Sequence, residues 1–195
     1  MNPFARRDNQ HQLAVGMTGV KMGDRLLEVG CADGGRLAAI AAKVGLSGRA
    51  VAVVPDEAAA ARLRKGAARE GVLVEVEVAP ASSIPAGEAD FDVAIVDDTR
   101  DFAGAMGEAD RAALIRELLR VLRPGGRAIF MGSMTPTSGL GALLAANRGG
   151  LFFVATGGAS DALSAGGLTS VRTLADHEGL VFVEGIKPRA ARKPD

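Results

Sequence analysis

Short apolar runs alternate with longer stretches of helical periodicity along most of this chain. The apolar runs at 25–29, 50–54, 92–96 and 127–132 are rich in Val, Leu and Ile, which is typical of strands covered on both faces of a sheet. A further run at 73–78 alternates Val with Glu and predicts a strand at or near an edge. The pattern therefore predicts one parallel sheet in which the 26–29 strand is central.

Helical periodicity fills the intervals between these runs. We expect helices at 13–22, 38–44, 57–70 and 109–122. Gly71 predicts the end of the third helix, and the Pro124-Gly125-Gly126 turn predicts the end of the fourth. Repeated strand–helix alternation predicts an α/β fold, a single doubly wound, mostly parallel sheet with helices on both faces and right-handed crossovers.

The pattern is weaker at both ends and beyond residue 133. Residues 1–12 are polar and predict a flexible arm, residues 187–195 predict a disordered basic tail, and 1–186 is expected to be one domain. After the 127–132 strand we expect a helix at 139–148, a loop at 156–168, a helix at 169–177 and a final strand at 180–186. Residues 151–155 fit either a strand or a buried helical turn.

Composition narrows the class of protein. The 195 residues suffice for one α/β domain, and 23 Lys and Arg balance 23 Asp and Glu, so charge gives no argument for nucleic acid or an anionic membrane as partner. The single cysteine, Cys31, excludes an internal disulfide and a cysteine-based zinc site and fits a reducing compartment. No apolar run approaches the ~20 residues of a membrane span. We expect a cytoplasmic protein; its oligomeric state cannot be assigned from the sequence.

The stretch LLEVGCADGGRL, residues 26–37, carries the most specific chemistry. It predicts a strand, a glycine-bearing turn and a helix start, an arrangement in which backbone N–H groups can face a ligand. A dinucleotide site requires G-x-G-x-x-G, and Gly30, Ala32 and Gly35 satisfy two of its three glycine positions. The alternative uses the carboxylate of Glu28, two residues before Gly30.

With Glu28, Gly30 and Gly34, this stretch resembles the E-x-G-x-x-x-G signature of class I S-adenosylmethionine-dependent methyltransferases, with Ala32 where that family often has glycine. Segments that resemble the same family in order and spacing are KMGDR at 21–25, DFDVAIV at 90–96, LRVLRPGGRAIF at 119–130 and LADHEGLVFV at 174–183. The resemblance implies a Rossmann-like methyltransferase fold, S-adenosylmethionine as cofactor and a small-molecule methyl acceptor. The cofactor-binding residues it implies are Glu28, Gly30, Cys31, Ala32, Gly34, Val54, Pro55 and Asp97.

The sequence departs from the family at two cofactor anchors. Family members usually hold the ribose with an acid at the end of the second strand, where this chain has Val54, followed by Pro55. A second acid usually contacts the adenine after the third strand, where this chain has Pro80. A lost partner costs about 1–3 kcal/mol. We therefore expect a degenerate cofactor site with weak affinity, unless Asp56 or Glu57 takes over.

Asp97 and Asp98 follow the fourth strand, at the edge where open α/β sheets bind ligands. The segment FDVAIVDDTRD is faintly similar to metal-dependent catechol-type O-methyltransferases, in which an aspartate at this place binds a divalent ion. Those enzymes add an Asp-Asn pair beyond the fifth strand, whereas this chain has Met131 to Met134. We favour solvated acids that cap the following helix and expect no metal.

The remaining candidates carry weaker signals. His177 is expected at a helix end, where a cation suits the dipole, and His11 either closes over the cofactor site or is solvated. Cys31 is expected to pack rather than react, because no activating base can be named. Ser133 and Thr135 could line a substrate pocket.

These features support one leading hypothesis and two rivals. The leading one is an S-adenosylmethionine-dependent methyltransferase in which Glu28, Gly30 and Gly34 hold the methionine end and Asp97 or Asp98 lines the cleft. No catalytic residue is assigned. A rival is a non-catalytic binding or interaction module of the same fold, and a third possibility is a nucleotide-binding dehydrogenase, disfavoured by Glu28 and Ala32. We also expect backbone N–H groups of the turn to satisfy the Glu28 carboxylate.

Overall fold

The computed structural model describes residues 3–31, 33–134 and 152–189. In chain order the elements are α1 Pro3–Thr18, β1 Arg25–Val29, α2 Gly34–Ala41, β2 Arg49–Val54, α3 Glu57–Arg69, β3 Glu75–Val78, β4 Phe91–Asp98, α4 Glu108–Val121, β5 Leu122–Ser133, α5 Gly158–Ala165, β6 Thr169–His177 and β7 Leu180–Ile186. Within these ranges, no helix is both long and apolar enough to cross a membrane.

The seven strands form one sheet in the order β3-β2-β1-β4-β5-β7-β6. Strands β1 to β5 are mutually parallel, whereas β7 runs antiparallel to β5 and to β6. The predicted doubly wound α/β fold is confirmed, with β1 inside the sheet and β3 at an edge. The connections along the chain reverse direction between β1 and β4, and in open α/β sheets this is where a ligand-binding crevice forms at the carboxyl ends of the strands.

Helices cover both faces of the sheet. One core cluster joins α1, α2 and α3 to the sheet through side chains such as Ala14, Leu37 and Leu63. The other joins α4 and α5 through side chains such as Leu114 and Leu163. Because neighbouring strand residues point to opposite faces, β1 contributes Leu26 to the first cluster and Leu27 to the second.

The expected flexible arm at 1–12 is wrong from residue 3 onward, because these residues belong to α1. Tertiary contacts explain the helix, since its polar sequence alone does not predict it. Ala14 and Thr18 are fully buried. Arg127 Nη2 donates to the carbonyl oxygens of Thr18 at 2.8 Å and Gly19 at 3.1 Å, which satisfies acceptors at the helix end.

Two predictions beyond β5 are also wrong. Residues 156–168 were expected as a loop but contain α5, and residues 169–177 were expected as a helix but form β6. Strand β6 pairs with β7 through a tight turn in which Glu178 and Gly179 have φ values of 53° and 79°. Two consecutive positive φ values match the twist of a hairpin, and this long-range pairing overrides the helical periodicity.

The remaining boundaries shift modestly. Strand β5 begins at Leu122, before the predicted 127, and so includes the Pro-Gly-Gly turn. Residues 152–155 lie in a helical turn, with Thr156 N donating to Phe152 O at 2.8 Å. At the start of the expected disordered tail, Lys187 N donates to Gly126 O at 2.9 Å. The expected helix at 139–148 and the tail beyond residue 189 lie outside the described residues.

Candidate active site

The glycine turn after β1 lies at the carboxyl edge of the sheet, beside the end of β4. Gly30 has a φ of +80°, a conformation that favours glycine, and its N–H donates to Val53 O at 3.0 Å. Asp33 begins α2 as its N-cap, and its Oδ1 accepts from Gly35 N at 2.9 Å. His11 Nε2 lies 3.5 Å from Asp33 Oδ2, so α1 packs against the start of α2.

Glu28 lies beneath this turn and is 1% exposed. No backbone N–H group of the described residues donates to its carboxylate oxygens, so the expected satisfaction by backbone N–H groups is wrong there. The Cys31 thiol is its hydrogen-bonding neighbour. Burial raises the pKa of Glu28 to about 8, and the nearby Asp97 charge adds to the rise, while Cys31 and Arg36 oppose it. At neutral pH this carboxyl group is therefore mostly protonated.

A buried ion pair joins α2 to the end of β4. Arg36 Nη2 lies 2.6 Å from Asp97 Oδ2, and the two side chains are 7% and 0% exposed. Arg36 Nη2 also donates to Thr99 Oγ1 at 2.8 Å, and the Thr99 hydroxyl donates to Asp97 Oδ1 at 2.6 Å. Burial lowers the pKa of Arg36, but the Asp97 carboxylate outweighs it and leaves the pKa raised. Both carboxylate oxygens of Asp97 are thus engaged, and the expectation of a solvated acid is wrong.

Asp98 is also buried, at 2% exposure, and holds the β4–α4 loop, residues 99–107. Its Oδ1 accepts from Ala103 N at 2.6 Å and from Gly104 N at 3.1 Å. Burial raises the pKa of Asp98 to about 6, although these two hydrogen bonds oppose the shift. Asp98 therefore caps a turn within the loop and not the following helix, since α4 begins only at Glu108.

Phe102, on the same loop, covers Gly30. A Cβ atom built on Gly30 would lie 2.6 Å from Phe102 Cγ and 2.8 Å from Cε1, so the ring contacts the Gly30 backbone directly. The glycine was expected to let a ligand approach the backbone, and the group that approaches it here is a side chain of the protein itself. Sequence reasoning missed Phe102 because nothing local relates it to a turn 72 residues earlier.

The strand ends at β2 and β3 offer fewer fixed polar groups. Val54 is 1% exposed, and Pro55 and Pro80 lie at the surface. Asp56 is the N-cap of α3 and accepts from Ala59 N at 2.7 Å through Oδ1. Glu57 is exposed and lies 3.3 Å from Arg64. Asp56 is therefore the acid closest in sequence to the usual ribose anchor, although one of its oxygens serves the helix.

The other predicted site residues have mainly packing roles. Gly34 faces Gly66 of α3, where a Cβ on Gly66 would lie 3.2 Å from Gly34 Cα, so this pair of glycines lies at the contact of α2 with α3. Burial raises the pKa of the Cys31 thiol, which disfavours a reactive thiolate. Ser133 Oγ donates to Thr99 O at 3.0 Å and ties β5 to the β4–α4 loop. Ala32 and Thr135 lie outside the described residues.

His177 does not lie at a helix end as expected. It is exposed on β6, with Nε2 3.6 Å from Glu178 Oε1. In the described ranges, no group of His, Cys, Asp and Glu side chains is arranged to hold a metal ion. The sequence analysis did not identify Arg36 as a site residue. Its position directly before Leu37, the first apolar residue of a buried helix, was the one feature of the sequence that indicated a buried charge.

Comparison with known proteins agrees with this geometry. A SAM-dependent methyltransferase from Aquifex aeolicus has a TM-score of 0.73 at 17% identity, over 96% of this chain and 99% of that chain. The N-methyltransferase NodS from Bradyrhizobium japonicum WM9, in complex with S-adenosyl-L-homocysteine, has a TM-score of 0.67 at 18% identity, over 96% and 89%. The [4+2]-cyclase SpnF has a TM-score of 0.65 at 18% identity, over 94% and 81%. At such low identity these likenesses show the fold alone.

No curated protein sequence matches this chain at a significant level. A family model described as a methyltransferase domain matches residues 26–126, from β1 into β5. This segment is more than half of the 195 residues and contains Glu28, the glycine turn, the Arg36–Asp97 pair and Phe102. The chain therefore belongs to the methyltransferase-domain family and has the Rossmann-like fold of the S-adenosylmethionine-dependent methyltransferases.

Proposed function

We propose that this protein transfers a methyl group from S-adenosylmethionine to a small molecule. The observation that carries the proposal is Glu28, a buried carboxyl group that no described backbone N–H group satisfies, directly beneath the glycine turn of the family signature. A buried carboxyl group with only a weak thiol donor beside it favours a ligand that brings a stronger donor. The bound S-adenosylhomocysteine of NodS supports the same class of ligand.

The chain has residues suited to the methionine end of this cofactor but fewer suited to its adenosine end. Glu28 and the Gly30 turn would hold the methionine end, and Asp56, next to the end of β2, would be the acid nearest the ribose. No acid replaces Pro80 for the adenine. When bound, S-adenosylmethionine supplies a methyl group on a positively charged sulfur. Weak affinity, in the high-micromolar range or about −5 kcal/mol, follows from the missing anchors.

The protein's own part in the reaction is positioning. The Arg36–Asp97 pair and Thr99 fix the floor between β1 and β4, because both oxygens of the buried Asp97 carboxylate are held by these two side chains. Both carboxylate oxygens of Asp97 are held by Arg36 and Thr99, and Asp98 Oδ1 accepts from two backbone N–H groups, so we assign neither acid as a general base. We infer an acceptor whose attacking atom is nucleophilic without deprotonation by these acids, with in-line alignment supplying most of the rate.

A small-molecule acceptor in a reducing, cytoplasmic setting is the simplest partner. The formal net charge of zero supports it, since it gives no overall attraction to nucleic acid or an anionic membrane. The single cysteine supports the compartment.

Calorimetric titration with S-adenosylmethionine and S-adenosylhomocysteine tests the proposal. The cofactor's ammonium group near Glu28 should favour the carboxylate, so binding at pH 7 should release up to about one proton. Titrations in buffers with different ionisation enthalpies measure this release. We expect Glu28→Gln to abolish it and Glu57→Gln, an exposed carboxylate, to retain it.

Each alternative result has a clear meaning. Binding without proton release, or unchanged release in Glu28→Gln, would overturn the role of Glu28. Absence of binding by the natural protein and by every variant tested would favour a non-catalytic module. Sub-micromolar binding would show that other groups have replaced the missing anchors.

A further inference from the structure

The glycine turn of the proposed cofactor site is already covered by the protein's own aromatic ring. With φ at +80° and no side chain, Gly30 offers an open backbone surface to a ligand at the carboxyl ends of β1 and β4. Phe102 takes that surface, since its Cγ and Cε1 atoms would lie 2.6 and 2.8 Å from a Cβ on Gly30. Ring and cofactor cannot occupy the same surface together.

We propose that Phe102 is a gate, whose ring blocks the Gly30 turn and must leave before S-adenosylmethionine binds. This inference rests on the proposed function. A residue that only lines the cofactor site would gain contacts when the cofactor binds. A gate must instead lose its contact with Gly30.

The loop that carries the ring is held on both sides of it. On the strand side, Asp98 Oδ1 accepts from Ala103 N and Gly104 N. On the helix side, Arg111 Nη1 donates to Ala103 O at 3.0 Å and to Met106 O at 2.7 Å. Between these anchors, Thr99 O accepts from Ser133 Oγ at 3.0 Å and Asp101 N donates to Asp98 O at 3.0 Å. The ring therefore leaves Gly30 by a local change at Asp101 and Phe102 and not by movement of the whole segment.

The segment between the anchors is strained. Asp101, immediately before Phe102, has a φ of +65°, which is uncommon for a residue with a side chain, and its buried Oδ1 has no described hydrogen-bond partner. Phe102 itself is only half-buried. A strained peptide with an unsatisfied carboxylate oxygen gains from rearrangement, so the closed position of the ring has a competing open state.

A gate of this kind lowers the apparent affinity. If the open state is a fraction of the population, the measured dissociation constant rises by the inverse of that fraction. Replacing the ring by a methyl group removes the blocked state and should tighten binding, whereas removing a residue that only lines the site would weaken it. The two roles therefore predict opposite signs for one substitution.

The absence of Trp and Tyr from the sequence makes a direct test possible. In Phe102→Trp the introduced indole is the only one in the protein, and we expect its emission to shift to the red and its quenching by acrylamide to rise about twofold as S-adenosylhomocysteine is added. Leu46→Trp is the control, because Leu46 is fully exposed far from the turn, at the amino end of β2. Its emission should stay constant throughout the titration.

Calorimetry of Phe102→Ala and Phe102→Leu with S-adenosylhomocysteine gives the second readout. We expect binding to tighten by about fivefold to tenfold in Phe102→Ala and less in Phe102→Leu, with thermal unfolding scans showing that both remain folded. Equal or weaker binding in Phe102→Ala, or an indole signal that shifts to the blue, would overturn the gate while leaving the proposed function intact. No binding by either the natural protein or Phe102→Ala would instead contradict the proposed function.

Discussion

Ionisable side chains are buried in one half of the carboxyl edge of the sheet and exposed in the other. At the ends of β1 and β4, the ionisable side chains of Glu28, Arg36 and Asp97 are almost completely buried. At the ends of β2 and β3, Asp56 and Glu57 are exposed and serve a helix cap and a surface ion pair. Buried charges depend strongly on their partners and exposed charges do not. Substitution of charged residues should therefore be costly in the half at β1 and β4 and tolerated in the half at β2 and β3.

Breaking one ion pair in each half should give the largest contrast. Arg36→Met leaves Asp97 buried without its cation, so we expect a loss of about 3–5 kcal/mol in the free energy of unfolding. Arg64→Met removes an exposed partner of Glu57 and should cost about 0–1 kcal/mol. Denaturant unfolding of both variants measures the difference. Similar losses in the two would contradict the comparison.

Glu28 should make stability depend on pH in a direction unusual for a carboxyl group. Its pKa rises from 4.5 to about 8 on folding, so the folded protein binds more protons than the unfolded chain between these values. The stability contributed by Glu28 is then greatest below pH 4.5 and falls as pH rises towards 8, by up to about 1.4 kcal/mol per pH unit.

Unfolding curves at several pH values check this dependence. Glu28→Gln should flatten the fall between pH 6 and 8, above the range in which Asp98, with its pKa of about 6, also contributes. Glu57→Gln serves as the exposed control. A wild-type slope that persists in Glu28→Gln would assign the effect to another group.

Alanine substitutions at two glycines with positive φ distinguish the cost of backbone strain from the cost of a clash with Phe102. Gly71 has a φ of +67° and open space around a Cβ, so Gly71→Ala should cost about 1 kcal/mol through strain alone. Gly30→Ala adds a clash with the Phe102 ring and should cost about 2–4 kcal/mol. Thermal or denaturant unfolding gives both values. In a Phe102→Ala background the two glycine substitutions should converge; if they do not, the ring does not rest on Gly30.

The smallest expected effect is a change in cofactor affinity from a substitution in the half at β2 and β3. Pro80 is exposed, so Pro80→Asp can place a carboxylate where the family holds the adenine without burying a charge. We expect about tenfold tighter binding of S-adenosylhomocysteine by calorimetry, since one hydrogen bond to a charged group contributes about 1.5–3 kcal/mol before ordering costs. Pro85→Asp, at an exposed site five residues later, should leave affinity unchanged. Equal gains would indicate a general charge effect.

Sequence reasoning succeeded where the signal was local. The strands at 25–29 and 180–186 have the predicted bounds, because apolar runs flanked by glycine turns determine both their length and their burial. It failed where pairing partners lie far apart. Helix α1 is polar and is stabilised by Arg127, more than 100 residues away, and β6 is a strand because β7 pairs with it.

In the candidate site, too, local features could be predicted from the sequence and long-range contacts could not. The family resemblance implies Glu28, Gly30 and Asp97 as cofactor-binding residues, but it does not give their surroundings. Spacing does not reveal that Arg36 reaches Asp97 across 61 residues, nor that this pair leaves Asp97 unable to act as a solvated acid.

The sequence by itself determined a parallel α/β sheet, a glycine turn at the end of its inner strand β1 and membership of the methyltransferase family, since each depends on short segments in a set order. Only the tertiary structure decided that Glu28 is buried without a backbone donor among the described residues and that Phe102 covers Gly30. The physical reason is that burial and contact depend on distances between residues remote in the chain, and no local pattern encodes these.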